Sequence, residues 1–155
     1  MVINDLKLDI VQKELINKRL NGDIPQYVLD WANLIKNADR IVISAPFWDM
    51  SIPSSLKVFI ELCSIMNITF KSDDKTCYGN CKCEKLLLIT TRGMNIATRD
   101  KLDQATSYLE ALSSLWGLGE VYVVSAQNID YVSQKEVDNK IENAIKEGLE
   151  FINNF

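Results

Sequence analysis

Two short apolar runs constrain what this chain can fold into more than any other feature. Ile41-Val42-Ile43-Ser44-Ala45 stops at Pro46, and Leu86-Leu87-Leu88-Ile89-Thr90 stops at Thr91-Arg92-Gly93. Both are continuous instead of alternating, the pattern of strands covered on both faces. The chain between them is long enough for helical crossovers, which join parallel strands. A third run, Val121-Tyr122-Val123-Val124, is rich in β-branched residues. Segment 2–8 roughly alternates apolar and polar residues and reads as a weak edge strand.

Helical periodicity fills the intervals. Segment 24–38 sets Val28, Trp31, Ile35 and Ala38 on one face, with Asp23 as a cap and Pro25 in the first turn. Segment 54–66 carries Leu56, Phe59, Ile60, Cys63 and Met66. Segment 101–116 carries Leu102, Ala105, Leu109, Leu112 and Leu115/Trp116, and Gly117 and Gly119 end it. Ser133-x-x-Glu136 is a capping box that opens a last helix, whose expected buried stripe is Val137, Ile141, Ala144, Ile145 and Ile152. Alternating strands and helices predict an α/β domain of three layers, a parallel sheet with helices on both faces. With 155 residues, 1–155 is expected to be a single domain. Segment 67–85 has no clear period and exceeds ordinary loop length, which points to a functional or flexible stretch.

Composition narrows the function. The 17 basic and 21 acidic residues leave a net charge of -4, which disfavours a broad nucleic-acid surface. Histidine is absent, which removes His-based triads, general bases and metal ligands. No stretch reaches the ~18 apolar residues of a membrane helix, and the first residues do not read as a signal peptide. The expectation is a cytoplasmic protein with no membrane association and reduced thiols.

Open parallel sheets bind ligands beyond the carboxyl ends of their strands. One such end carries Phe47, Trp48, Asp49 and Met50, where aromatic faces in a loop suit a planar ligand. Packing of Trp48 on a helix or a partner subunit is the alternative. Asp49 either tunes such a ligand or hydrogen-bonds its own loop, and Lys57 reads as solvent-facing. The other end carries Thr91, Arg92, Gly93 and Met94. Gly93 permits close backbone approach. Arg92 suits a carboxylate, a phosphate or the electron-rich edge of a reduced flavin, with a surface salt bridge as the alternative.

The segment Ala45-Pro46-Phe47-Trp48-Asp49-Met50-Ser51-Ile52-Pro53-Ser54-Ser55-Leu56-Lys57 resembles the flavin loop and following helix of FMN-dependent NADH-azoreductases and related flavodoxin-like quinone reductases. Asn67-Ile68-Thr69-Phe70 is similar to a Gly-Val-Thr-Phe stretch of that family, and Thr91-Arg92-Gly93-Met94 to its Ser-Arg-Gly-Gly loop. The resemblance implies a flavodoxin-like fold and FMN as cofactor. It places Phe47, Trp48, Asp49 and Met50 against the isoalloxazine, and Thr91, Arg92, Gly93 and Met94 along the other edge. It implies NAD(P)H as co-substrate, a quinone or azo acceptor, ping-pong hydride transfer and a homodimer. An aromatic residue that covers the flavin in some members falls at Ser72. The cofactor carries the redox chemistry in such enzymes, so a chain without histidine is compatible with it.

The family opens with a strand, a Ser/Thr-rich loop and a helix whose N-terminus binds the FMN phosphate. Here Asn4-Asp5-Leu6 resembles the family's second strand. The resemblance therefore implies a chain incomplete at its N-terminal side, with the first, central strand and the phosphate loop missing. Each lost charge-assisted hydrogen bond would cost roughly 1.5–3 kcal/mol, so weak or absent FMN binding is one expectation. The alternative is a non-catalytic flavodoxin-like protein that acts through a protein partner.

Cys77-x-x-x-Cys81-x-Cys83 lies in the irregular segment, while Cys63 falls on an apolar helical stripe. The spacing matches neither zinc knuckles nor ferredoxins. Free surface thiols are the first expectation for the cluster, with metal binding and a disulfide as alternatives. No metal site is assigned.

Overall fold

The structure is a computed structural model that describes residues 21–152. Segment 2–8 and the stretch Asn4-Asp5-Leu6 lie outside the described residues. The order is α1 (Gln26–Asn37), β1 (Arg40–Ser44), α2 (Ser54–Cys63), β2 (Phe70–Ser72), β3 (Cys77–Gly79), β4 (Lys85–Arg92), α3 (Gln104–Trp116), β5 (Glu120–Gln127) and α4 (Gln134–Ile152).

Three strands form a parallel sheet in the order β1-β4-β5, with Leu86 opposite both Ile41 and Val121. The central strand is buried on both faces: Leu86, Leu87 and Leu88 are at most 1% exposed. β1 departs from the expectation of full cover. Val42 at its middle is 53% exposed, and among the described residues no strand pairs with its outer edge.

One face of the sheet holds the main core. Val28 and Ala32 of α1, Ile60 and Cys63 of α2, and Leu109, Leu112 and Trp116 of α3 pack there against Leu86, Leu88 and Val121. The other face carries α4, which packs along β5, so the three expected layers are present. Its stripe is a correction to the sequence reading. Ile141, Ile145 and Ile152 are 38%, 55% and 49% exposed, and Gly148 is the helix's buried residue. These side chains line a groove of about 270 Å³ with Ile89, Val124 and Ala126 instead of closing on the sheet.

Helix ends follow local chemistry, with shifts from expectation. Pro25 is itself the N-cap of α1, with no side-chain cap bond, so Asp23 does not cap it. The buried face of α1 is Val28 and Ala32, while Trp31 sits 37% exposed against Tyr27 and Phe59. α3 begins at Gln104, because the Asp103 carboxylate caps it through the Thr106 amide; Leu102 stays exposed. Gly117 ends α3 in the left-handed region at φ 75°. The capping box forms as read: the Ser133 amide and hydroxyl donate to Glu136, and the Glu136 amide donates back to Ser133 Oγ.

Segment 67–85 is largely ordered. β2 and β3 make an antiparallel hairpin with Phe70 opposite Gly79 and Ser72 opposite Cys77. It packs on the C-terminal end of α3, where the Asn80 and Cys81 amides donate to the Trp116 carbonyl. Thr69 is fully buried, its hydroxyl accepting from the Ile65 amide and donating to the Cys63 carbonyl.

Candidate functional site

The carboxyl ends of β1, β4 and β5 lie side by side, so three loops meet there. The β1–β4 ladder continues past Ser44: the Ala45 amide donates to Ile89 O at 3.1 Å and the Phe47 amide to Thr91 O at 3.3 Å. The loop after β1 then closes in a tight turn, with Trp48 and Ser51 exchanging backbone hydrogen bonds of 3.0 and 2.8 Å. Asp49 and Met50 occupy its two central positions at φ 47° and 65°. Two non-glycine residues in the left-handed region are unusual and store strain. The turn is held from below, because the Gln104 amide donates to Met50 O at 3.0 Å.

Phe47 and Trp48 point in opposite directions, as neighbours on extended backbone do. Phe47 is half-buried, with the Arg92 guanidinium carbon 5.0 Å from its ring centroid. Trp48 is 62% exposed. It borders a cleft of about 340 Å³ with Asp49, Ser51, Ser54, Lys57 and Tyr108. A second cleft, about 250 Å³, is lined by Ser44, Ala45, Pro46, Ile89, Thr90 and Thr91 beside the end of β1. Lys57 is not free in solvent: its ammonium donates to Tyr108 Oη at 3.0 Å, lies over the same ring and reaches Glu61 at 3.4 Å. The Tyr108 hydrogen bond is the main cause of its pKa lying above the ordinary lysine value.

The loop after β4 is zipped to the loop after β5. Asn128, Ile129 and Asp130 amides donate to the carbonyls of Met94, Arg92 and Gly93. A Cβ on Gly93 would fall 1.9 Å from Asp130 Oδ2, so the Asp130 carboxylate occupies the space over that glycine. Met94 is 44% exposed and Tyr131 is 74% exposed at the rim. Thr91 is exposed as well.

Arg92 is fully buried and faces inward. One terminal nitrogen donates to Asp103 Oδ2 at 2.9 Å and the other to the Ile96 carbonyl at 2.8 Å. Asp103, also fully buried, accepts in addition from the Arg99 amide, the Thr106 amide and the Thr106 hydroxyl. Burial pushes the Asp103 carboxyl up, but the Thr106 and Arg99 hydrogen bonds and the Arg92 charge outweigh it and hold the carboxyl below its ordinary pKa. The alternative of a surface salt bridge is thus corrected to an interior one. Asp103 is the functional candidate that sequence reading missed. An Asp ahead of a helical run announces a cap, and nothing local announces its arginine partner.

The cysteine cluster is not a set of surface thiols. Cys77 is exposed, Cys81 half-buried and Cys83 4% exposed in the main core, and all four cysteines are free. Burial pushes the Cys63 and Cys81 thiols up to about 11. Among the described residues no group of three or more Cys, Asp or Glu side chains converges as a metal site.

The structure thus brings Phe47 against Thr91 and Arg92, while Trp48, Asp49 and Thr91 line separate clefts and Gly93 lies under the Asp130 carboxylate. The phosphate-binding loop that the resemblance implies is not among the described residues. The chain is similar to several known proteins. The chain is 27% identical over 154 residues to an FMN-dependent NADH:quinone oxidoreductase of Coprothermobacter proteolyticus, covering 96% of this chain and 76% of that protein. It is 33% identical over 128 residues to an FMN-dependent NADH:quinone oxidoreductase of Clostridium beijerinckii, covering 82% of this chain and 63% of that protein. An FMN-dependent NADH-azoreductase from Bacillus anthracis, solved in complex with FMN, superposes with a TM-score of 0.70 at 21% identity over 93% of this chain and 74% of that one. An azoreductase from the Sterne strain of the same species gives 0.71 at 17% identity over 98% and 78%. A family model described as flavodoxin-like fold matches residues 4–151, and the chain belongs to that family.

Proposed function

We propose that this chain is an FMN-dependent oxidoreductase that passes hydride from NADH or NADPH to a quinone or azo acceptor in ping-pong fashion, as a cytoplasmic homodimer. The supporting observation is the meeting of the loops after β1 and β4, with Phe47 bonded to Thr91 across them. When bound, FMN supplies the hydride-accepting and hydride-donating chemistry. The residues of this chain bind and orient the ring: Phe47, Trp48, Asp49 and Met50 on one side, Thr91, Arg92, Gly93 and Met94 on the other. Arg92 takes part through its backbone, since its guanidinium is turned into the core. Met94 and Trp48 limit water at the ring face through their exposed apolar surface.

Titration of the purified protein with FMN, followed by quenching of flavin fluorescence, tests the binding. NADH oxidation dependent on added benzoquinone or methyl red then tests the activity. Saturable binding with turnover is the expected result; no flavin signal at any concentration overturns the proposal. A second reading, a non-catalytic protein that acts through a partner, is favoured by one observation. The edge of β1, unpaired among the described residues, and the apolar groove beside α4 together form surface of the kind that other chains cover. The FMN titration separates the two readings.

A further inference from the structure

We infer that Arg92 and Asp103 form a positioning device that sets the loop after β1 and the loop after β4 in one register, so that the flat surface at the strand ends is built before any ligand arrives. The inference rests on the flavin reading for its purpose, though its mechanics stand on the contacts alone. The Arg92 guanidinium touches three separate pieces of chain. One branch holds Asp103 at the head of α3 at 2.9 Å, and the other holds Ile96 O in the loop after β4 at 2.8 Å. Its face lies 5.0 Å from the Phe47 ring in the loop after β1. Asp103 extends the clamp by accepting the Arg99 amide at 2.9 Å, while its neighbour Gln104 holds the strained turn through Met50 O. Phe47, Ile96 and Arg99 are therefore tied directly to one ion pair, and Met50 to the residue that follows Asp103.

Stability alone is a poor reason for this pair. Burying two charges costs about as much as their attraction returns. Among the described residues the buried Arg92 Nε meets no hydrogen-bond partner, which adds a further penalty. What a planar, branched cation does provide is direction: it fixes two acceptors and one aromatic face at set angles. That geometry is needed where loops must present a surface within a fraction of an ångström.

The decisive variant is Arg92→Met/Asp103→Asn. It removes both charges together, replaces the fork with a shorter unbranched apolar chain, and leaves an Asn that still caps α3, so the protein is expected to stay folded with a melting temperature lowered by several degrees. Hydrogen exchange measured by mass spectrometry is expected to accelerate in 45–51 and in 93–99 together, by about tenfold or more. The dissociation constant for FMN is expected to rise about tenfold, with shifted absorbance bands of the bound flavin. Arg92→Lys keeps the charge but loses the fork, and should recover part of both effects. Unchanged exchange in 45–51 overturns the inference whatever FMN does. A wild-type protein that binds no FMN overturns the flavin reading, while the exchange result still decides the positioning role. Should the double variant not fold, Phe47→Leu removes the aromatic face alone. Faster exchange in 93–99 upon that change supports the coupling, and none refutes it.

Discussion

Asp103 is ionised inside the protein because four donors face it, from Arg92, the Arg99 amide and the amide and hydroxyl of Thr106. Its folded pKa lies below the ordinary carboxylate value of about 3.9. The folded state therefore binds fewer protons there than the unfolded state does. The stability it contributes is complete above that ordinary value and is lost as pH falls through the folded pKa. Melting temperature measured against pH should fall below about pH 4, with a shallower acid-side slope for Asp103→Asn. Trp48 makes the contrasting case, since its exposed ring takes little part in the core. Trp48→Ala should leave the melting temperature within a degree or two. It should weaken FMN by roughly 1 kcal/mol, the scale of one aromatic stack, read by fluorescence titration. Sequence showed the pair Phe47-Trp48 but not their division of labour. Adjacent residues on extended backbone face opposite ways, and only the position of Arg92 decides which one is inside.

Elements show the same division between local and distant causes. The capping box of α4 was legible because every participant lies within four residues. The hairpin of β2 and β3 was not, because its stability comes from packing on α3. Gly79 is pressed against the Gly117 backbone so closely that a Cβ would lie 2.3 Å from Gly117 N. Gly79→Ala should destabilise the fold by roughly 2–3 kcal/mol, the scale of overpacking against an unyielding neighbour, measured by urea unfolding. Thiol order follows from the same packing. Cys77 on the exposed strand should react first with a disulfide reagent at mildly alkaline pH. Cys63 and Cys81, held near 11 by burial, should react only as the protein opens. Simultaneous reaction of all four would refute the placement of this segment.

Among the described residues the two faces of the sheet are unequal. The face with α1, α2 and α3 is closed by a continuous core, whereas on the other α4 borders a groove beside Ile89 and Val124. Ile145, Leu149 and Ile152 stand 49–58% exposed along it. An apolar-surface dye such as ANS should bind there, and Ile145→Lys should remove most of that signal while the melting temperature changes little. Retention of the full signal would show that the dye reports on another surface.

What the sequence by itself determined is the layered α/β plan, the parallel strands, the strand-end loops and the terminal capping box. Each is written in hydrophobic period or in residues a few places apart, where backbone geometry leaves few options. What only the tertiary structure decided is that α4 presents its apolar stripe to a groove, that the hairpin of β2 and β3 packs on α3, and that Arg92 turns inward to Asp103. Those outcomes depend on which surfaces arrive opposite one another after crossovers of many residues, and no local pattern carries that information.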